Sequence, residues 1–352
     1  METNKEETKA DAGEKRALRG LTLEELRGVA AECGLKPFAA KQLARWLYVN
    51  RATDIDQMTD ISLAGRERLK AGYRIGVTEP LRRDVSADGT AKYLFEGQQG
   101  RQVEAVMIPD GERRTLCVSC QAGCKMSCAF CMTGRQGFHG NLTAAQIIGQ
   151  IMDIEEAEEL TNIVFMGMGE PTDNLPAVFA AIEILTAPWG MAWSPKRITV
   201  SSVGRLPQMK QLVEQTKVHI ALSLHNPFSA ERARLMPVEK AWPLTEVMDM
   251  LRGFDWSHQR RLSVEYTVWK GVNDSLRHAD ALARMLRGLD CRVNLIRYHA
   301  IPDVDLQTAN SETMTRFRDR LNAQGVTATI RASRGEDIDA ACGMLAGKAN
   351  AL

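Results

Sequence analysis

Apolar residues recur at helical spacing along the first part of the chain and at strand spacing after it. "LTLEELRGVAAECG" offers Thr22 as a helix N-cap, Glu25 three residues later to complete a capping box, and Gly34 as a stop. "KPFAAKQLARWLYVN" brings Phe38, Leu43, Trp46 and Leu47 to one face of a second helix. These patterns predict a small helical domain over 19–76, behind a charged tail, 1–18, expected to be disordered. Residues 77–112 change to short alternating runs, "AKYLFEG" and "RQVEAVMIP", separated by turn residues, and predict a strand-rich connector. A core follows over 113–347. Its candidate strands are "TNIVFMGM", "RITVSS", "VHIALSL", "LSVEYTV", "CRVNLI" and "VTATIR". Helical patterns separate them, such as "TAAQIIGQIMDIEEAEEL", where Ile147, Ile148, Ile151 and Ile154 share a face. Six such alternations predict a parallel α/β architecture, with the chemistry at the carboxyl ends of the strands.

Composition narrows the class. With 44% hydrophobic and 25% charged residues in 352, the chain can bury a sizeable core. No run of eighteen apolar residues occurs, so no membrane span is expected. The charged start lacks an apolar segment, so no signal peptide is expected either, and the expected location is the cytoplasm. A net charge of +1 neither demands nor excludes a nucleic acid partner. The basic pairs Arg82–Arg83, Arg113–Arg114 and Arg260–Arg261, and the run "RFRDR", read first as solvated surface.

One stretch does not fit ordinary core usage. "CVSCQAGCKMSCAFC", residues 117–131, holds five of the eight cysteines. In the cytoplasm disulfides are rare, and clustered cysteines bind metal or do chemistry. Cys124, Cys128 and Cys131 form C-x3-C-x2-C. Three thiolates would hold an iron–sulfur cluster with one iron left open to a ligand. A structural zinc site wants four ligands, and Cys120 could supply the fourth, so both readings stand on spacing alone. Cys33, at the end of the first helix, reads as a packing residue.

C-x3-C-x2-C with Phe130 before its last cysteine resembles the signature of the radical S-adenosylmethionine (SAM) superfamily. The resemblance extends further. "QAGCKMSCAFCMTGRQGFHGNLTAAQI", "GMGEP", "ITVSSVG", "ALSLHNP", "GVNDS", "NLIRYH" and "RGEDIDAACG" occur in the order seen in the RlmN/Cfr family of RNA adenine methyltransferases. The likeness implies a partial (β/α)6 radical SAM barrel with a small N-terminal helical domain that helps hold RNA. It implies a [4Fe–4S] cluster on Cys124, Cys128 and Cys131, with SAM as methyl donor and radical source. Gly169, Glu170, Ser201, Ser223, Leu224, His225 and His299 match the family's SAM contacts.

By the same resemblance Cys342 carries a methyl group taken from one SAM, while a second SAM provides the radical that activates it. Adenine C2 and C8 are not nucleophilic, so direct transfer from a sulfonium fails and radical addition avoids the difficulty. Glu104 matches the family's proton acceptor. Cys117 matches the thiol that releases product by forming a transient disulfide with Cys342. The expected substrates are 23S rRNA and tRNA, methylated at adenine C2, with a flavodoxin or ferredoxin as electron donor and a monomeric chain. "QQGF" leans to the RlmN branch, whereas "FSAERARLMP", "NLIRY" and "VTATIRAS" lean to the C8-methylating Cfr branch. Other readings are a radical SAM activase or isomerase, and a zinc-stabilised RNA-binding protein. The chain departs from the family at Cys120, mostly serine there, and at His299, often asparagine.

Overall fold

The computed structural model describes residues 15–256 and 261–346. Helices α1 (Leu23–Glu32), α2 (Ala39–Ala44, running on as one wider turn through Val49) and α3 (Leu63–Gly72) form the N-terminal domain. Thr22 caps α1 as the sequence implies: its hydroxyl accepts the Glu25 amide while the Glu25 carboxylate accepts the Thr22 amide at 2.7 Å. The helix ends at Glu32, and Gly34 follows at φ +57°, a conformation glycine adopts freely. Cys33 is buried in packing.

Order begins earlier than the tail expected to residue 18. Arg16–Ala17 form β1, paired in parallel with β2 (Tyr73–Arg74), and Leu18 and Arg19 are buried. Burial of the Arg19 guanidinium explains this, because it pairs with Asp153 of the core at 2.5 Å.

Strands β3 (Arg82–Val85), β4 (Ala91–Glu96), β5 (Gln102–Asp110) and β6 (Arg113–Cys117) make an antiparallel meander. The hairpin β7 (Gln121–Gly123) and β8 (Phe138–Asn141) follows, with helix α4 (Met132–Arg135) between its strands. Then come α5 (Ala144–Met152), β9 (Asn162–Phe165), α6 (Leu175–Thr186), β10 (Ile198–Ser202), α7 (Leu206–Gln215) and β11 (His219–Ser223). The remainder is α8 (Ser229–Leu235), α9 (Leu244–Arg252), β12 (Leu262–Val268), α10 (Leu276–Leu286), β13 (Cys291–Arg297), α11 (Ser311–Ala323) and β14 (Ala328–Ile330).

One sheet runs in the order β14-β13-β12-β11-β10-β9-β6-β5-β4-β3, and its members from β6 to β14 are parallel. The six strand–helix units therefore begin at β6, one strand earlier than the apolar runs suggest, and β14 ends the arc without a helix. Helices pack along the arc; β9 and β10 alternate buried and half-buried positions, and β12 is nearly continuous core. Helix α5 stops at Met152, so Ile154 packs into the core from the turn beyond it. Asp153 ends the helix because its carboxylate is drawn to Arg19 and to the Thr78 amide.

The chain after β14 crosses the open side of the arc as a strap. Asp337 accepts from the Ser86 hydroxyl at 2.6 Å and the Ala87 amide at 3.2 Å, and the Gly335 amide donates to Asp88 at 3.0 Å. Further along, the Ala346 amide donates to Glu104 at 2.8 Å, and the Thr133 hydroxyl donates to the Leu345 carbonyl at 2.7 Å. No helix among the described residues is long and apolar enough to cross a membrane.

Candidate active site

The β7–β8 hairpin presents the cysteine loop. Gly123 opens it at φ +72°, where a Cβ would lie 1.9 Å from the Gly137 carbonyl oxygen, so only glycine fits. That carbonyl accepts the Cys124 amide at 2.9 Å, and the Ala129 amide ties the loop to the Leu235 carbonyl of α8 at 2.9 Å. Cys124, Cys128 and Cys131 all line one cavity at the carboxyl ends of the parallel strands. Burial pushes the Cys124 thiol up to about 12 and raises those of Cys128 and Cys131. As free anions these sulfurs are unfavourable, and a metal's positive charge is what would hold them as thiolates.

Among the described residues, no three His, Cys, Asp or Glu side chains converge tightly enough to hold a single metal ion. A cuboidal four-iron cluster attaches each thiolate to a different iron, so it asks for three cysteines facing one cavity, and Cys124, Cys128 and Cys131 line one. Cys120, the fourth ligand of a zinc reading, does not line that cavity. It is buried beside it, with its amide on the Met168 carbonyl and its own carbonyl accepting from Asn174 at 2.8 Å. The donor set fits a three-cysteine cluster.

Five neighbouring strands, β9 to β13, reach the rim. Gly169 follows β9 at φ +99°, and a Cβ there would meet the Gln121 side chain at 2.5 Å. The Glu170 carboxylate is engaged by the scaffold: it accepts from the Thr172 hydroxyl and amide and from the Val203 amide at 3.1 Å. Burial nevertheless raises its pKa. Ser201 and Ser223 face the cavity from β10 and β11 with their hydroxyls 3.3 Å apart. Leu224 is fully buried outside the lining, and serves through its backbone, accepting from Arg232 at 3.0 Å. His225 lines the cavity at φ +58°. Its Nδ1 accepts the Thr267 amide at 3.0 Å, which places the ring proton on Nε2. Burial, then the Arg232 charge, pull its pKa down to about 3, so the ring is neutral.

Cys342 reaches the same cavity from the strap, next to the cluster loop: the Met132 amide donates to the Gly343 carbonyl at 2.9 Å. The Cys342 residue is accessible from the cavity, while the protein around its thiol raises the pKa by desolvation, with the Glu265 charge adding. Cys117, the last residue of β6, lies beside the cavity rather than in its lining. Burial pushes its thiol up to about 12, and the next contribution is the charge of Cys342, so the two sulfurs are neighbours. All eight cysteines are unpaired.

Two expected site residues stand apart. Glu104 is buried on β5 but faces a second cavity, of about 500 Å³, with Lys92 at 3.3 Å and the strap amide of Ala346 on its carboxylate. His299 is outside the lining of the cysteine cavity. Its ring contacts the Ser333 hydroxyl at 3.2 Å and Glu336 at 3.8 Å.

Further contacts of the site were not read from the sequence, although several of the residues that make them lie inside the quoted motifs. Phe130, His225, Trp269 and Tyr298 form an aromatic wall, with Phe130 4.9 Å from both His225 and Trp269. Arg232 is buried and donates to Glu239 at 2.6 Å, to Val203 at 2.8 Å, and to Ser223 and Leu224 at 3.0 Å, joining the ends of β10 and β11. Glu265 on β12 lines the cavity with Arg297. Its only sequence signal is a carboxylate inside the apolar run "LSVEYTV".

A three-cysteine loop at the top of a partial parallel barrel defines a radical SAM protein, and the radical SAM superfamily model matches residues 118–283. The model of the ribosomal RNA large subunit methyltransferase N-terminal domain matches residues 17–75. The chain is 57% identical over 332 residues to a probable dual-specificity RNA methyltransferase RlmN of Parabacteroides distasonis, covering 94% of this chain and 97% of that one. It is 41% identical to the dual-specificity RNA methyltransferase RlmN of Anaeromyxobacter dehalogenans, covering 94% and 91%. A radical SAM methyltransferase from Sphaerobacter thermophilus superposes with a TM-score of 0.88 at 39% identity, over 95% of this chain and 100% of that one. The chain belongs to the RlmN family.

Proposed function

We propose that this chain methylates C2 of adenine in 23S rRNA and in tRNA, carrying the methyl on Cys342. The observation that supports it most is one cavity lined by Cys124, Cys128, Cys131 and Cys342, in a chain akin to RlmN proteins along nearly its whole length. When bound, a [4Fe–4S] cluster with SAM supplies reductive cleavage to a 5′-deoxyadenosyl radical, and SAM also supplies the methyl group.

The chain's own residues do the rest. Cys124, Cys128 and Cys131 hold the cluster. The backbone at Gly169 and Glu170 offers carbonyls to an ammonium group, since the Glu170 side chain is already engaged. Ser201, Ser223, Leu224 and His225 shape the rest of the SAM site, and His299 reaches it only if its ring turns from Ser333. Cys342 presents the methyl carbon to the adenine. Glu104 accepts the ring-carbon proton once the strap amide of Ala346 leaves it. Cys117, its proton lost, then attacks the Cys342 sulfur: the disulfide bond forms as the bond from that sulfur to the product carbon breaks, the electron pair stays on that carbon, and a proton completes the new methyl group. We further propose a monomer that works in the cytoplasm with a flavodoxin or ferredoxin as electron donor.

The test is the mass of the Cys342 peptide from protein made in cells, with Cys117→Ala beside it. One added methyl on Cys342, and RNA trapped covalently on Cys117→Ala, are expected. An unmodified Cys342 in protein that holds iron and binds SAM would overturn the reading.

A further inference from the structure

Glu265 is a buried carboxylate with no task in the function proposed above. Two donors hold one of its oxygens: the Ser263 hydroxyl and the Asn294 amide each donate to Oε1 at 2.8 Å. Among the described residues no hydrogen bond falls on Oε2. The side chain lines the same cavity as Cys342. The two are close enough for the Glu265 charge to raise the Cys342 thiol, second only to desolvation, while Arg331 opposes it. Burial raises the Glu265 pKa, with Asn294, Ser263 and the more distant Arg331 pulling the other way. Ser223 on β11 and Asn294 on β13 flank Glu265 in register, and neither carries charge. The charged or titratable groups around the pair are Arg331, Cys131 and Cys117, with Arg297, Glu170 and His225 lining the same cavity.

A desolvated thiol is a poor nucleophile, because the thiolate is the reactive form. Cys342 cannot be methylated quickly at neutral pH unless its proton has somewhere to go. The other acids and bases nearby are engaged. Glu170 is held by Thr172 and Val203, and His225 Nδ1 by the Thr267 amide. Glu104 opens to the other cavity.

We propose that Glu265 is the base that takes the Cys342 thiol proton when that sulfur is methylated; this rests on Cys342 being the methyl carrier. In the step, the Cys342 sulfur bonds to the methyl carbon of SAM. The carbon–sulfonium bond breaks, its electron pair stays on the departing sulfur as a neutral thioether, and the thiol proton moves to Glu265 Oε2. A sulfonium and a carboxylate enter, and no net charge remains on either. Loss of both charges is favoured where water is scarce. The donors on Oε1 stay satisfied as Oε2 gains the proton, so the scaffold need not move.

The experiment follows label from methyl-labelled SAM onto the Cys342 peptide of reconstituted holoenzyme, by mass spectrometry. Wild type, Glu265→Gln and Glu265→Asp are compared near pH 7 and near pH 9, with iron content and equilibrium SAM binding measured on each. Glu265→Gln keeps the shape and should slow labelling about a hundredfold near pH 7, the usual scale of a lost general base. Near pH 9 the thiolate fraction is about a hundred times larger, and labelling should recover. Iron and SAM binding should match wild type, and Glu265→Asp should fall between the two. Glu265→Gln labelled at the wild-type rate near pH 7 would overturn the inference. So would a loss of label at both pH values accompanied by loss of iron, which makes Glu265 part of the scaffold. A wild-type Cys342 that takes no label overturns the methyl-cysteine reading itself.

Discussion

Cys117 shows how one side chain's surroundings set its timing. Its thiol is pushed up to about 12 by burial and by its neighbour Cys342, so it rests as a neutral thiol. A neutral thiol does not attack Cys342 early, while the methyl is being loaded and passed on. In the proposed release step it must ionise. The rate of RNA release from the covalent adduct should then rise about tenfold per pH unit above neutrality, until another step limits it. Single-turnover decay of the adduct measured across that range checks this, and a flat profile would place the ionising group elsewhere. Burial also explains which site residues the sequence concealed. Cys124, Cys128, Cys131 and Cys342 stand in motifs whose chemistry is specific. Glu265 is a single carboxylate on a strand, a pattern that usually reads as half-solvated surface, and Glu104, on another strand, stood out only through the family resemblance. Only the folded arc shows that both are buried, and that they face different cavities.

At the scale of elements, local signals were legible and distant ones were not. The Thr22 capping box and the apolar runs of β9 to β13 rest on neighbours in sequence. The strap after β14 rests on bonds to residues about 250 positions away, and has no period of its own. Its hold on the β3–β4 turn is electrostatic and local. Desolvation would raise the Asp88 carboxyl, but donors from Thr90, the Gly335 amide and Ser86 outweigh it and bring it down to about 2. A carboxyl depressed in the folded state stabilises above its unfolded pKa and loses that contribution as pH falls through the folded value. The strap should therefore hold above about pH 4 and loosen towards pH 2. Asp88→Ala should loosen it at neutral pH, at a cost of about 1 kcal/mol for the lost acceptor. Hydrogen exchange of the 331–346 peptides checks both: faster exchange there, with β9 to β13 unchanged, is expected. Unchanged strap exchange would assign the docking to Asp337 and Glu104 instead.

At the scale of the whole molecule, the question is what keeps the N-terminal domain in place on the barrel. Its patterning gave the helices but not their seat, since the contact joins residues far apart in sequence, among them a buried ion pair between residues 134 apart, the Arg51 guanidinium on the Ala157 carbonyl at 3.3 Å and the Tyr48 ring beside Trp189. Arg19 and Asp153 meet at 2.5 Å with side chains 1% and 10% exposed. Asp153 also accepts the Thr78 amide at 2.8 Å. Gly20 lies so close to α5 that a Cβ would come within 2.3 Å of the Ala145 amide nitrogen. Such a pair adds little over an apolar contact while intact, but breaking it leaves a charge buried without a partner. Asp153→Ala should therefore cost about 3–5 kcal/mol. The loss should appear as proteolytic sensitivity of residues 17–75 and weaker RNA binding, with iron content kept, because the cysteine loop is anchored elsewhere. Arg19→Ala combined with Asp153→Ala removes the orphaned cation and should regain part of the lost stability, a coupling a double-mutant cycle reads directly. A double variant no more stable than Asp153→Ala alone would mean that the lost Thr78 acceptor, not the stranded guanidinium, accounts for the damage.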